Sequence, residues 1–220
     1  MNRMLNAAKL DFYTAKSTLA FALLTFVVSA VVGVSTRQPV ITMVLVMVFG
    51  VYICGSVFSV AEKNHTDKLY GILPLTKHDM ITGRYIYALI IGLADILIAG
   101  VFGFEISLIV GADLSPLTLF TTLGLAFVYF CFAVGIAFPI YYKFTFTKAY
   151  VFTMIPIYIV MMFAIFLSRR TGFYDSLGRA FQSLSGAPAV ILLIGLVVGL
   201  ILLAGSIYVS DSIYKRKEIY

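Results

Sequence analysis

Two carboxylates stand inside an apolar stretch of this sequence, and they are its clearest candidates for chemistry. Asp95 lies ten residues into segment 85–110, about 15 Å along a helix and so near the middle of a bilayer, and Glu105 lies ten residues further on. A charge at that depth is costly unless it is paired, hydrated or protonated, which makes such acids functional candidates. They could form a proton or cation relay, or act as neutral hydrogen-bonded contacts between helices. Ten residues turn a helix through about 280°, so the two carboxylates need not line one path.

The sequence lacks the motifs of the common hydrolytic and metal sites. It contains no GxxxxGK[ST] phosphate loop, no HExxH and no GxSxG. His65 and His78 are isolated from other metal-ligand types. Cys54 and Cys131 each lie in an apolar run, so we expect them to act as small core residues. We therefore predict no catalytic residue, no metal site and no cofactor, and an ATP-driven activity would need a second chain.

The composition is that of an integral membrane protein. Hydrophobic residues make up 61% of the chain, charged residues make up 12%, and the mean hydropathy is +1.03. Several segments have close to the roughly 20 apolar residues that a bilayer core requires. We predict membrane spans at 18–34, 40–61, 85–110, 116–140, 149–167 and 188–209.

The distribution of basic residues sets the orientation. Six spans put both termini on one side, and the segments of that side carry twelve Lys and Arg residues against four on the other. Both termini and the 62–84 loop are therefore predicted to be cytoplasmic. The net charge of +6 fits anchoring against anionic lipid, and no basic, aromatic-rich surface indicates nucleic acid.

Two segments outside the predicted spans carry amphipathic patterns. Residues 1–17 mix apolar and charged residues and predict a helix lying on the membrane surface. A cleaved signal peptide is disfavoured, because the first apolar run continues to Val34. Residues 168–187 place apolar side chains along one helical face. This external loop is therefore predicted to return partly into the membrane, with an ordinary solvated loop as the alternative.

Small residues recur at a spacing of four in two of the spans. Gly55 with Ser59, and Gly195 with Gly199, would let helices approach closely. We expect this packing inside the chain, with contacts between chains as the alternative.

The longest polar break between the apolar runs is the loop 62–84. Within it, three apolar residues have the i, i+3, i+4 spacing of a helical turn: Leu69, Ile72 and Leu73. Pro74 ends this turn, and Thr76 with Asp79 forms a capping-box pattern that starts the next span. The turn is too short to cross a membrane. It predicts a short amphipathic helix held between two spans, with a frayed interfacial turn as the alternative.

This loop resembles that of the type-2 ATP-binding-cassette (ABC) exporter permeases. In that family an acidic residue ends span 2, a coupling helix is followed by a Leu-Pro-x-Ser/Thr step, and a basic-aromatic pair opens span 3. The corresponding residues here are Glu62, then Leu73-Pro74-Leu75-Thr76, then Arg84-Tyr85. The family often has serine and arginine where this sequence has Thr76-Lys77. The resemblance implies an ATPase-coupling site made of Glu62, Lys63, Asp67, Lys68, Leu69, Ile72, Leu73, Pro74 and Arg84.

The resemblance extends over the whole layout of the chain. It implies an all-α integral membrane protein with six transmembrane helices in a single permease domain, residues 1–220. An N-terminal interfacial helix, a cytoplasmic coupling helix between spans 2 and 3, and a partly re-entrant external segment between spans 5 and 6 would complete it.

The same resemblance implies a role in export. The chain would form the translocation path with a second permease chain, as a homodimer or a heterodimer, in a bacterial plasma membrane. A separate ATPase subunit would hydrolyse the ATP. Two other functions stay open. One is a self-sufficient secondary transporter or ion pathway that uses Asp95 and Glu105, and the other is a non-transporting membrane scaffold or immunity subunit.

Overall fold

The computed structural model describes residues 2–64, 76–168 and 188–215. These residues form seven α-helices, with a short 3-10 turn at Lys16–Thr18. The helices are α1 (Asn2–Ala15), α2 (Leu19–Thr36), α3 (Pro39–Lys63), α4 (Lys77–Val110), α5 (Pro116–Lys143), α6 (Phe146–Ser168) and α7 (Pro188–Lys215). The predicted coupling helix at 69–73 and nearly all of the predicted re-entrant segment at 168–187 lie outside the described residues.

Helices α2 to α7 occupy the positions of the predicted spans. Four of them, α3, α4, α5 and α7, are long and apolar enough to cross a membrane, and α2 contributes a shorter apolar helix, Ala22–Thr36. The described residues are all helical, as predicted, and their apolar helices are consistent with the predicted membrane class. The crossing of a membrane by all six helices stays a prediction.

Side chains and backbone conformation fix the ends of these helices. At the start of α4, Thr76 Oγ1 accepts from the Asp79 N–H at 3.1 Å, and Asp79 Oδ2 accepts from the Thr76 N–H at 3.1 Å. This is the capping box that the sequence predicts. The α4 helix ends at Gly111, whose φ of 68° is one that glycine adopts without strain. Ser115 then caps α5. Pro116 lies in the first turn of this helix, where the backbone N–H that proline lacks would have no partner within the helix.

The inner faces of α3 and α5 form the centre of the helix bundle. Met43 on α3 and Phe127 and Phe130 on α5 are fully buried. Cys54 and Cys131 lie in the same core as free thiols. Their predicted role as small core residues is therefore confirmed.

The most extensive helix contact within the described part of the chain joins α5 and α7. Gly195 rests on the backbone of Gly124, because a methyl group at Gly195 would lie 2.8 Å from the Gly124 carbonyl oxygen. One turn further along α7, Gly199 faces Phe127 and Cys131. The small-residue spacing of α7 is therefore used inside the chain, as expected.

The N-terminal segment is a helix, as predicted, and one of its faces is buried against the bundle. The buried face contains a carboxylate among small residues, none of them more than 4% exposed: Ala7, Ala8, Asp11 and Ala15. The opposite face is exposed and carries Leu5, Lys9 and Tyr13, and the exposed Lys16 follows in the 3-10 turn. Contact of this exposed face with a membrane surface stays a prediction.

Candidate functional site at the ends of the polar loop

Glu62 ties the start of the polar loop to α6. It lies in the last turn of α3, and its carboxylate accepts from the Thr147 N–H at 3.0 Å and from the Thr147 hydroxyl at 2.9 Å. Thr147 is the second residue of α6, where the backbone N–H groups have no partner within the helix. A carboxylate is favourable there because it satisfies an N–H and meets the positive end of the helix dipole. The end of α3 is therefore bonded directly to the start of α6.

Arg84 lies at the other end of the loop, in the second turn of α4, and it is buried. Its exposure is 7%, and its Nε atom lies 3.7 Å from Asp11 Oδ1 on α1. The guanidinium carbon also lies 4.4 Å from the ring centroid of Phe58 on α3 and 5.7 Å from that of Tyr142 on α5. Arginine favours such flat aromatic contacts. One side chain therefore contacts three helices besides its own.

The neighbouring Tyr85 joins α4 to α7. Its hydroxyl lies 2.5 Å from Ser206 Oγ and 2.8 Å from Ser210 Oγ, and all three residues are buried. Ser206 in turn donates to the Gly135 carbonyl of α5 at 2.7 Å. Buried polar groups of this kind need partners, and here the partners come from three helices.

A second contact between α4 and α7 lies nearer the loop. His78 Nδ1 is 3.4 Å from Asp211 Oδ1, and Lys77 Nζ lies 5.8 Å from the centroid of the Tyr214 ring. The His78 side chain is half exposed, so this contact adds less than the buried one. The first turns of α4 are nevertheless held to the last turns of α7 at several points.

The structure places three of the nine predicted coupling residues, and the other six lie outside the described residues. Glu62 and the exposed Lys63 end α3 at the border of the loop, whereas Arg84 is enclosed. The six that are not described are Asp67, Lys68, Leu69, Ile72, Leu73 and Pro74. The coupling role of all nine stays a prediction.

Two contacts of this site, to Asp11 and to Thr147, were not predicted from the sequence. Asp11 carried a usable signal, because it shares one helical face with Ala8 and Ala15. Small residues on one face allow close packing against a neighbouring helix, but this pattern does not identify Arg84 as the partner of Asp11. Thr147 carried no such signal, since it is 85 residues from Glu62 in the chain.

The carboxylate of Asp95, which is predicted to lie inside the membrane, is buried where α3, α4 and α5 meet. It is 2% exposed, and its Oδ2 atom has no hydrogen-bond partner within the described part of the chain. The Asp95 carboxylate fills the space beside Gly50 of α3, where a methyl group would overlap Oδ2. The Phe130 ring closes this space, lying 3.4 Å from the same methyl position. Asp95 thus occupies a tight contact between helices.

Glu105 lies on a different side of α4. It is exposed, and it stands among exposed apolar side chains that include Val101, Phe104 and Leu108. The structure therefore does not bring Asp95 and Glu105 together. No cluster of three metal-ligating side chains occurs in the ranges 2–64, 76–168 and 188–215.

These features define an all-helical membrane protein in which several helices converge on the two ends of one polar loop. The chain belongs to the ABC-2 family of transporter proteins, because the family model described as "ABC-2 family transporter protein" matches residues 8–215. It is therefore a membrane permease of the ABC transporter class. No individual curated protein matches the chain significantly.

Proposed function

We propose that the chain is the membrane subunit of an ABC exporter and that its 62–84 loop couples the helices to a separate ATPase subunit. One observation carries this proposal. Residues at both ends of the loop contact helices that do not adjoin the loop in the chain. Glu62 bonds to α6, Arg84 pairs with α1, and Tyr85 bonds to α7. A displacement of the loop would therefore reach most of the bundle.

The sequence of the loop supports a protein partner. The spacing of Leu69, Ile72 and Leu73 predicts one apolar face on a helical turn, and the neighbouring charges of Asp67 and Lys68 favour a position in water. An apolar face of this kind in water is covered most favourably by another protein. The ATPase subunit would hydrolyse the ATP, because this chain contains no phosphate-loop motif.

Coupling follows from the bonds at the loop. Closure of the ATPase would pull the turn at 69–73, and α3 and α4 would move with it. Glu62 would carry this movement to the start of α6, and Arg84 would carry it to α1. The export path would open between two such chains, as a homodimer or a heterodimer, each a single permease domain of six spans with cytoplasmic termini in a bacterial plasma membrane.

The buried Asp95 favours a second candidate, a proton or cation pathway that needs no ATPase. An intramembrane carboxylate whose Oδ2 atom has no described partner is a functional candidate by itself. A relay to Glu105 would need a further group, because Glu105 lies on another side of α4. We rank this function below export for that reason.

The test is ATP hydrolysis by the purified chain in lipid vesicles, alone and together with the ATPase subunit that co-purifies with it. We expect no hydrolysis by the chain alone and vanadate-sensitive hydrolysis by the complex. Hydrolysis by the chain free of any second subunit would contradict the proposal. A pH-driven cation flux through the chain alone would support the second candidate.

A further inference from the structure

We propose that Asp11 is a positioning residue of the coupling site, and that it makes α1 a working part of the coupling apparatus. Asp11 holds Arg84 buried between the two ends of the polar loop. This inference rests on the proposed function, because it assigns a role within the same site.

Small residues on α1 and α4 allow the two helices to approach closely. A methyl group at Gly83 would lie 3.0 Å from the Met4 carbonyl oxygen and 3.1 Å from the Ala8 nitrogen. Glycine at position 83 therefore lets the two helix backbones touch. This contact brings Asp11, one turn further along α1, to the Arg84 side chain. Phe12 adds an edge-on contact with Tyr87 at 4.9 Å between ring centroids.

Arg84 joins the two ends of the loop directly. It belongs to α4, which leaves the loop, and its guanidinium group lies against Phe58 of α3, which enters the loop. Phe58 is one helical turn before Glu62, the residue that bonds to α6. A change in the relative position of α3 and α4 near the loop would therefore alter the Arg84 contact.

The Arg84 contact depends on the charge of Asp11. A guanidinium group stays charged in proteins, and a buried charge without a counter-charge is strongly unfavourable. Asp11 is 2% exposed and has its carboxylate next to Arg84, so it supplies that counter-charge from α1. Without the carboxylate, the guanidinium group would turn toward water and leave Phe58.

The experiment uses the complex of the chain with its ATPase subunit in lipid. The variants are Asp11→Asn, the conservative Asp11→Glu, and Lys9→Gln as a matched control on the exposed face of the same helix. The readout is the part of ATP hydrolysis that depends on the permease, expressed per folded complex. We expect Asp11→Asn to lower it about tenfold, because the change removes the counter-charge beside a buried guanidinium group. Lys9→Gln should stay near wild type, and Asp11→Glu, which keeps the charge, should retain more of the hydrolysis than Asp11→Asn.

A second variant separates positioning from mere stability. Replacing a buried ion pair by apolar residues of similar volume commonly leaves a protein folded. The double change Asp11→Leu with Arg84→Met should therefore fold and retain the ATPase subunit, but it should hydrolyse ATP as slowly as Asp11→Asn. Wild-type hydrolysis per folded complex in either variant would overturn the inference. Absence of an ATPase from the wild-type preparation would instead overturn the proposed function.

Discussion

The contact between α5 and α7 allows a paired glycine test on one helix. A methyl group at Gly195 would lie 2.8 Å from the carbonyl oxygen of Gly124 and 2.9 Å from its Cα atom. Both are backbone atoms, so neither can rotate away. At Gly205, nearly three turns along the same helix, no described atom lies within 4 Å of the added methyl group. The two positions thus lie on the same helix and differ in whether an added methyl group meets a neighbouring helix.

The expected magnitudes follow from this difference. Gly195→Ala should lower the free energy of unfolding by about 1 to 3 kcal/mol, the usual cost of forcing an extra methyl group into a packed contact. Gly205→Ala should leave it unchanged or raise it by about 0.5 to 1 kcal/mol, because alanine restricts the unfolded chain more than glycine does.

The assay is unfolding of the purified protein in mixed micelles, by titration with a denaturing detergent and by thermal melting. A loss of 1 kcal/mol lowers the melting temperature of a protein of this size by roughly 2 to 4 °C. Equal midpoints for the two variants would refute the packing of α5 on α7. So would a Gly195→Ala variant that changed only the association between chains, since the glycines would then pack between chains.

Three further predictions concern the interior of the bundle and use the same unfolding assay or the ATPase complex. Gly50→Ala should destabilise the protein by about 1 to 3 kcal/mol more than Gly55→Ala. A methyl group at position 50 overlaps Asp95, whereas one at position 55 lies 3.6 Å from its nearest neighbour. Equal unfolding midpoints for the two variants would contradict this prediction. Tyr85→Phe should cost about 1 kcal/mol or more through the lost bonds to Ser206 and Ser210, and an unchanged midpoint would argue against those bonds. Asp95→Asn should leave the yield of co-purified ATPase at the wild-type level. If vesicles without the ATPase show a pH-dependent flux and Asp95→Asn abolishes it, the ion pathway is favoured instead.

The sequence predicted the features that depend on local pattern. The apolar runs set the positions of α2 to α7, the Thr76 and Asp79 pair set the start of α4, and the spacing of Gly195 and Gly199 indicated a close helix contact. Each of these signals is contained within one helix or its cap. For that reason each could be read without knowing how the helices pack.

The contacts between helices were not predictable in the same way. The Glu62 bond to Thr147 and the Arg84 pair with Asp11 depend on how each helix is rotated toward its neighbours. A mixed helix such as α1 is equally compatible with a membrane surface and with a protein surface. The burial of Asp11 distinguishes the two for one face of that helix.

The central claim, that the polar loop docks an ATPase, is tested most directly by co-purification from detergent. The double change Leu69→Ala with Leu73→Ala removes two apolar side chains from the loop turn, and each would cost about 1 to 3 kcal/mol if it anchors an interface. The account predicts that the ATPase is lost while the permease stays folded and inserted. Charge reversal at Lys63 or Lys68, as at the rim of an interface, should weaken the complex much less. Recovery of the ATPase at wild-type yield with the double variant would contradict the claim.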